Sequence, residues 1–212
     1  MKLRLTALLA MTMLAGCRHT GDIDEATQGV YAVRSNCPIL GVPSGTGDIT
    51  LFNPPSSTDS RAIDVTATIT DVRATCQDVG DDVVSSATFT VVALRRDAGP
   101  ARQVVLPYFD VALQGGTRVV AKQVGQAAVN FAAGDIHGWT RVQTTVRVNR
   151  GAATLPASVR ATITRERKPG DPQAALDPLS DPAVRLAVAN ATFEHLVGFQ
   201  LTQDQIRYNA TR

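Results

Sequence analysis

The sequence predicts a mainly β chain, an antiparallel β-sandwich with a C-terminal helical tail. Three observations carry this. Residues 63–70 alternate strictly, with Ile63, Val65, Ala67 and Ile69 set against Asp64, Thr66, Thr68 and Thr70. That is the period-two pattern of a half-buried strand. About seven or eight such short segments recur with turn residues between them, as antiparallel sandwiches require. The pattern changes after the proline-rich stretch "KPGDPQAALDPLSDP". There Asp181-Pro182 reads as a helix N-cap followed by proline at the first helical position.

Taken in order, residues 49–52 make a short strand before the turn "NPPSSTDS". After the 63–70 strand the phase flips and Val72, Ala74 and Cys76 become the apolar set. A flip of parity within one strand calls for a bulge near Asp71. "ATFTVVAL" at 87–94 is a third strand. "YFDVALQGGTRVVAKQV" reads as a hairpin about Gly115-Gly116, since paired glycines accept the positive φ angles of a tight turn. A strict two-residue turn would set Val111 and Leu113 across from Val120 and Arg118, so a longer loop is expected. Val142, Val146 and Val148 alternate with polar residues, and so do Val159, Ala161 and Ile163. Each set is read as a strand.

In the tail, residues 183–199 fit a helix. Thr202 and Gln205 then form a capping-box pattern, with Leu201 and Ile206 at staple positions, opening a second helix over 203–209. On a 183–199 helix, Leu186, Ala189, Phe193, Leu196 and Val197 gather on one side, and Val184, Val188, Ala191 and Phe199 on another. A surface helix needs one apolar stripe. The second stripe is therefore either covered by the 203–209 helix or docks another envelope protein.

By strand pattern the domain resembles an immunoglobulin-like or fibronectin-like sandwich. It departs from true antibody domains, because Trp139 falls after both Cys37 and Cys76.

The amino terminus reads as a processing signal. Lys2 and Arg4 precede an apolar run, Leu5 to Leu14, that is too short to span a bilayer as a helix. It exits through Leu14-Ala15-Gly16-Cys17. This resembles the bacterial lipoprotein signal at all four of its positions. The resemblance implies cleavage before Cys17, a diacylglycerol on its thiol and acylation of the new amine. Each buried methylene adds about 0.8 kcal/mol to membrane attachment, so several acyl chains make a lasting anchor. Arg18, where an inner-membrane lipoprotein would carry aspartate, implies the outer membrane, facing the periplasm. The expected organisation is a signal peptide over 1–16, a lipidated tether over 17–36, a β-sandwich over 37–168, and a proline-rich connection with C-terminal helices over 169–212.

Lys2 and Arg4 account for the whole formal charge of +2, so a chain cleaved before Cys17 is neutral. A neutral chain with 5% aromatic residues and no basic stripe is not built for nucleic acid. With Cys17 lipidated, Cys37 and Cys76 remain as an even pair, and export makes a disulfide permissible. The competing arrangement is two separate thiols. Two distant cysteines and three scattered histidines have no metal-ligand spacing, and no cofactor motif is present. His195 is read as a structural residue on the tail helix. One constellation invites chemistry: Asp135, His137 and Trp139 alternate in "GDIHGW". An acid, a base and an aromatic suit an envelope hydrolase or a solute- or glycan-binding site, whereas the flanking glycines suit a plain loop with a partly buried Trp. No catalytic constellation stands out elsewhere. The expected function is a periplasmic binding or interaction module, with an envelope protein or glycan as partner and the membrane reached through lipid on Cys17.

Overall fold

The computed structural model describes residues 35–165, 170 and 176–211, together with strand residues 23–24 and 29–30. Ile23–Asp24 (β1) and Gly29–Val30 (β2) pair antiparallel by themselves. The main unit comprises Ser35–Arg165 and Leu176–Arg212.

The main unit is mainly β. Its strands are β3 (Ile39–Gly41), β4 (Asp48–Phe52), β5 (Ile63–Val79), β6 (Asp82–Arg95), β7 (Arg102–Gln114), β8 (Arg118–Phe131), β9 (His137–Asn149) and β10 (Phe193–Phe199). They form one mixed eight-stranded sheet in the order β3-β10-β7-β8-β9-β6-β5-β4. Only the β3–β10 pair is parallel. The sheet curls, bringing β10 back toward the segment that leads into β4. There Phe199 N–H donates to Thr46 O at 2.8 Å, and Asn209 Nδ2 of the C-terminal tail donates to Gly45 O at 2.9 Å and Asp48 O at 2.8 Å.

Alternation decides what lines the inside of the curl. Val65, Ala67 and Ile69 of β5, Phe89 and Val91 of β6, and Val104 and Leu106 of β7 enter one core with Phe131 and Phe199. At the predicted bulge, Thr70 opposes Thr90 while Arg73 opposes Thr88, so Asp71 and Val72 together face Phe89. Asp71 takes a φ of 51°, a left-handed conformation that Asp tolerates better than most residues. The extra residue turns Val72 and Cys76 inward, where Cys76 lies opposite Ser85. The β7–β8 hairpin closes with Gln114 opposite Arg118, a three-residue loop in which Gly115 and Gly116 take φ of 63° and 76°.

The sheet is nearly cut between β8 and β9. Among the described residues their register consists of one pair, Asn130 with Trp139. Gly138 makes that junction possible. A Cβ there would stand 2.9 Å from the Asn130 carbonyl oxygen and 2.7 Å from Val129 Cγ1.

Two segments differ from the sequence reading. Residues 157–163 are helical, not a strand. After α1 (Arg150–Ala153), Ala157–Ile163 forms α2, with Val159 and Ile163 half-buried. Their i, i+4 spacing serves a helix as well as a strand. The 183–199 helix is also corrected. α3 runs Pro182–Asn190, started by the Asp181 cap, whose side chain accepts from Ala183 N–H at 2.8 Å. The chain then enters β10 between β3 and β7. Phe193, His195, Val197 and Phe199 point inward at period two, and β7 supplies a full antiparallel ladder. α4 (Gln203–Thr211) follows, opened by the predicted capping box: Thr202 N–H donates to Gln205 Oε1 at 2.9 Å, and Gln205 N–H to Thr202 Oγ1 at 3.3 Å.

Candidate functional site

Cys17 lies outside the described residues. Cys37 and Cys76 are joined by a disulfide that ties the segment before β3 to β5. The four tail residues read as a docking stripe do not form one. Val184, Ala191 and Phe199 are buried, Val188 is half-buried, and Phe199 sits on β10 rather than on a helix. The stripe dissolves because the helix ends at Asn190 and the sheet takes the rest.

Asp135, His137 and Trp139 are all exposed. What orders their loop is Arg95, which is 4% exposed. Its Nε donates to Asp135 O at 2.6 Å, Nη1 to Pro100 O at 2.8 Å, and Nη2 to Gly99 O at 3.0 Å and Ala132 O at 3.1 Å. The guanidinium also lies 5.4 Å from the Phe131 ring centroid. Asp135 thus serves the loop through its carbonyl. Among the described residues no hydrogen bond joins its carboxylate to His137. Trp139 stands 69% exposed on the outer face of β9, across from Val92. An outward parity on β9 overrides the tendency of tryptophan to bury.

Inside the curl is a polar chain that the sequence reading missed. His195 on β10 is completely buried. Its Nε2 lies 2.8 Å from Asp110 Oδ1 and its Nδ1 2.9 Å from Ser85 Oγ. A carboxylate only accepts, so Nε2–H donates to Asp110, while Nδ1 and the Ser85 hydroxyl share the second hydrogen bond. Thr144 Oγ1 donates to the other Asp110 oxygen. Four strands, β6, β7, β9 and β10, each contribute one residue. Nearby, burial pushes the Tyr108 phenol up, with the Asp110 charge adding to the shift. A serine, a histidine and an aspartate in hydrogen-bonded series have the composition of a hydrolytic triad. Here, however, Ser85 is 0% exposed and sits opposite Cys76 within the ladder. The chain satisfies buried polar groups, as an interior demands, and ties distant strands together. Only the inward parity of Ser85, Asp110 and His195 on their strands could have signalled it.

On the outside, β4, the 53–59 loop and α4 enclose a cleft of about 1040 Å³. β4 is covered on both faces: Ile49 and Leu51 pack toward the core, while Thr50 and Phe52 look toward α4. Phe52 and Tyr208 meet edge to face at 5.1 Å. Hydroxyls of Ser56, Ser57, Thr58 and Thr202 line the opening. Charges at the cleft are paired. Arg207 is bonded to Asp204, and Asp64 accepts from both Arg102 nitrogens, at 2.7 and 2.6 Å. The Arg102 bond holds the Asp64 carboxyl below its usual range. Thr50 is 2% exposed and its Oγ1 has no hydrogen-bond partner among the described residues.

Fold and sites together define a disulfide-bonded, mainly β domain with one buried polar chain in an apolar interior and a surface cleft between β4, the 53–59 loop and α4. Among the described residues no cluster of three or more His, Cys, Asp or Glu side chains could hold a metal ion. No protein-family model matches the chain, and the comparison with curated proteins gives no match.

Proposed function

We propose that this chain is a lipid-anchored cell-envelope protein, held by Cys17 in the outer membrane and facing the periplasm, that works as a binding module. The observation that carries the reading beyond the leader is the Cys37–Cys76 bond. Disulfides form and persist in oxidising compartments such as the periplasm. The tether over 17–36 would hold the domain off the membrane. The burial of Ser85 supports binding over hydrolysis, because a nucleophile must reach its substrate and Ser85 does not reach solvent. The near-separation of the sheet into two four-strand halves at Asn130–Trp139 supports a sandwich of immunoglobulin-like type.

A second reading, glycan binding at the Asp135–His137–Trp139 loop, is favoured by one observation, the exposed indole of Trp139. An envelope hydrolase at that loop would lose its phenotype when Asp135 and His137 are mutated together, whereas a binding module would keep it.

The anchor is tested by Cys17→Ser in intact bacteria fed labelled palmitate. Unlabelled, uncleaved precursor is the expected result. A variant processed like wild type and still membrane-bound would remove the lipoprotein reading.

A further inference from the structure

We infer that the open edge of β8 takes up an extended, acidic peptide segment of a partner protein as an added strand; this names the partner of the binding module proposed above and rests on that reading. Backbone direction carries the argument. Gln200 N–H donates to Pro107 O at 2.9 Å. In an antiparallel ladder, backbone groups turn to alternate sides residue by residue. The odd-numbered residues of β7 therefore turn to β10. The even-numbered ones, Leu106 and Tyr108 among them, turn to their β8 partners Ala127 and Gly125. On β8 the backbone groups of Lys122, Val124, Gln126 and Ala128 then point away from β7. Asn130 has the same parity and meets Trp139, the single pair with β9. Over 122–128 no strand among the described residues pairs with that side. Lys122, Val124 and Gln126 are exposed, Val124 by 58%. A row of unpaired N–H and C=O groups is a template for a further strand.

Side chains decide which kind of strand fits. β8 carries Arg118 and Lys122 and no carboxylate. Neither cation has an ion-pair partner among the described residues. A second copy of β8 would bring further cations and nothing to answer them. A carboxylate opposite Lys122 instead completes a cross-strand pair. Beyond Lys122 the outer face is apolar: Val124 lies opposite Phe109, and Ala128 opposite Val105, which is 46% exposed. A strand that alternates apolar and polar residues lays its apolar side chains along that face. β9 has a free edge too. Arg150 N–H donates to Asp81 O at 2.8 Å, so the opposite parity, Arg141, Gln143, Thr145 and Arg147, turns away from β6. That edge offers no apolar side chain and is flanked by arginines, the charges that blunt edge strands.

The test uses the full-length protein in detergent and short fluorescein-labelled peptides that alternate valine with threonine. One peptide has glutamate at both ends and one has lysine there. A third is the glutamate peptide N-methylated at alternate residues, which removes ladder donors without changing charge. Fluorescence anisotropy should show the glutamate peptide bound, the lysine peptide about fivefold weaker and the N-methylated peptide unbound. Gln126→Pro deletes an N–H that β7 does not use, and edge strands accept proline, so the fold should be kept and binding lost. Lys122→Glu leaves the backbone untouched and should reverse the preference between the two charged peptides; it decides the matter if Gln126→Pro does not fold. Gln143→Pro, on the edge of β9, should leave binding unchanged. No binding at millimolar peptide, equal binding of the N-methylated peptide, a preference indifferent to Lys122→Glu, or loss only in Gln143→Pro would each overturn the inference. So would a dimer in analytical ultracentrifugation that Gln126→Pro dissolves, since a second copy would then hold the edge. Palmitate labelling at Cys17 reads the envelope proposal independently. A lipidated protein that binds no peptide overturns only the added strand, and an unlipidated one that does bind overturns only the anchor.

Discussion

Replacing Asp110 by alanine removes the acceptor at the centre of the buried chain. Asp110 is 1% exposed and takes hydrogen bonds from His195 Nε2 and Thr144 Oγ1. Each donor left without a partner costs about 1–3 kcal/mol. Relief from burying a carboxylate offsets part of that sum. Two donors lose their acceptor, and with that offset the expectation for Asp110→Ala is about 2–4 kcal/mol. Ser85→Ala leaves only His195 Nδ1 without its partner and should cost about 1–2 kcal/mol. Asp110→Asn keeps an acceptor oxygen for Nε2 and should fall between wild type and Asp110→Ala. A domain of ordinary stability, ~5–15 kcal/mol, survives each change well enough to be measured. The assay is urea unfolding of the oxidised protein followed by far-UV circular dichroism, with the slope compared between variants. If Asp110→Ala stays within about 1 kcal/mol of wild type at unchanged slope, the chain does not hold the strands together. If Asp110→Asn is as damaging as Asp110→Ala, hydrogen-bond satisfaction is the wrong account.

Two further outcomes concern the frame. The Cys37–Cys76 bond closes a separation of 39 residues, for which the chain-entropy relation gives about 4 kcal/mol; the Cys37→Ser, Cys76→Ser pair should lower urea stability by about that amount. Gly138→Ala places a Cβ 2.9 Å from a backbone oxygen that cannot swing aside, so it should destabilise the domain by about 1–3 kcal/mol. Its hydrogen exchange should rise first at Asn130 and Trp139, and an unchanged melting temperature would show that this junction is slack.

The elements legible in the sequence are those whose cause is local. Alternation over 63–70, the change of phase at Asp71, the paired glycines of the β7–β8 turn and the Thr202–Gln205 box each depend on residues a few positions apart. Sterics and short-range hydrogen bonds act there before any tertiary contact forms. The pairing of Cys37 with Cys76 was legible as a possibility by counting, while its geometry came from the bulge that turns Cys76 inward.

Tertiary structure decided the remainder. "FEHLVGF" carries apolar residues at spacings that serve both a helix and a strand, and only the waiting edges of β3 and β7 make it β10. Residues 157–163 went the other way, to a helix. The same insertion of β10 carried His195 from a supposed surface helix into the interior, 110 positions from Ser85 and 85 from Asp110, and within bonding distance of both. The cleft at Thr50 likewise exists only because α4 returns over β4. Contacts across such separations depend on which sheet edges remain open when the chain collapses, and no window of sequence a few residues wide contains that information.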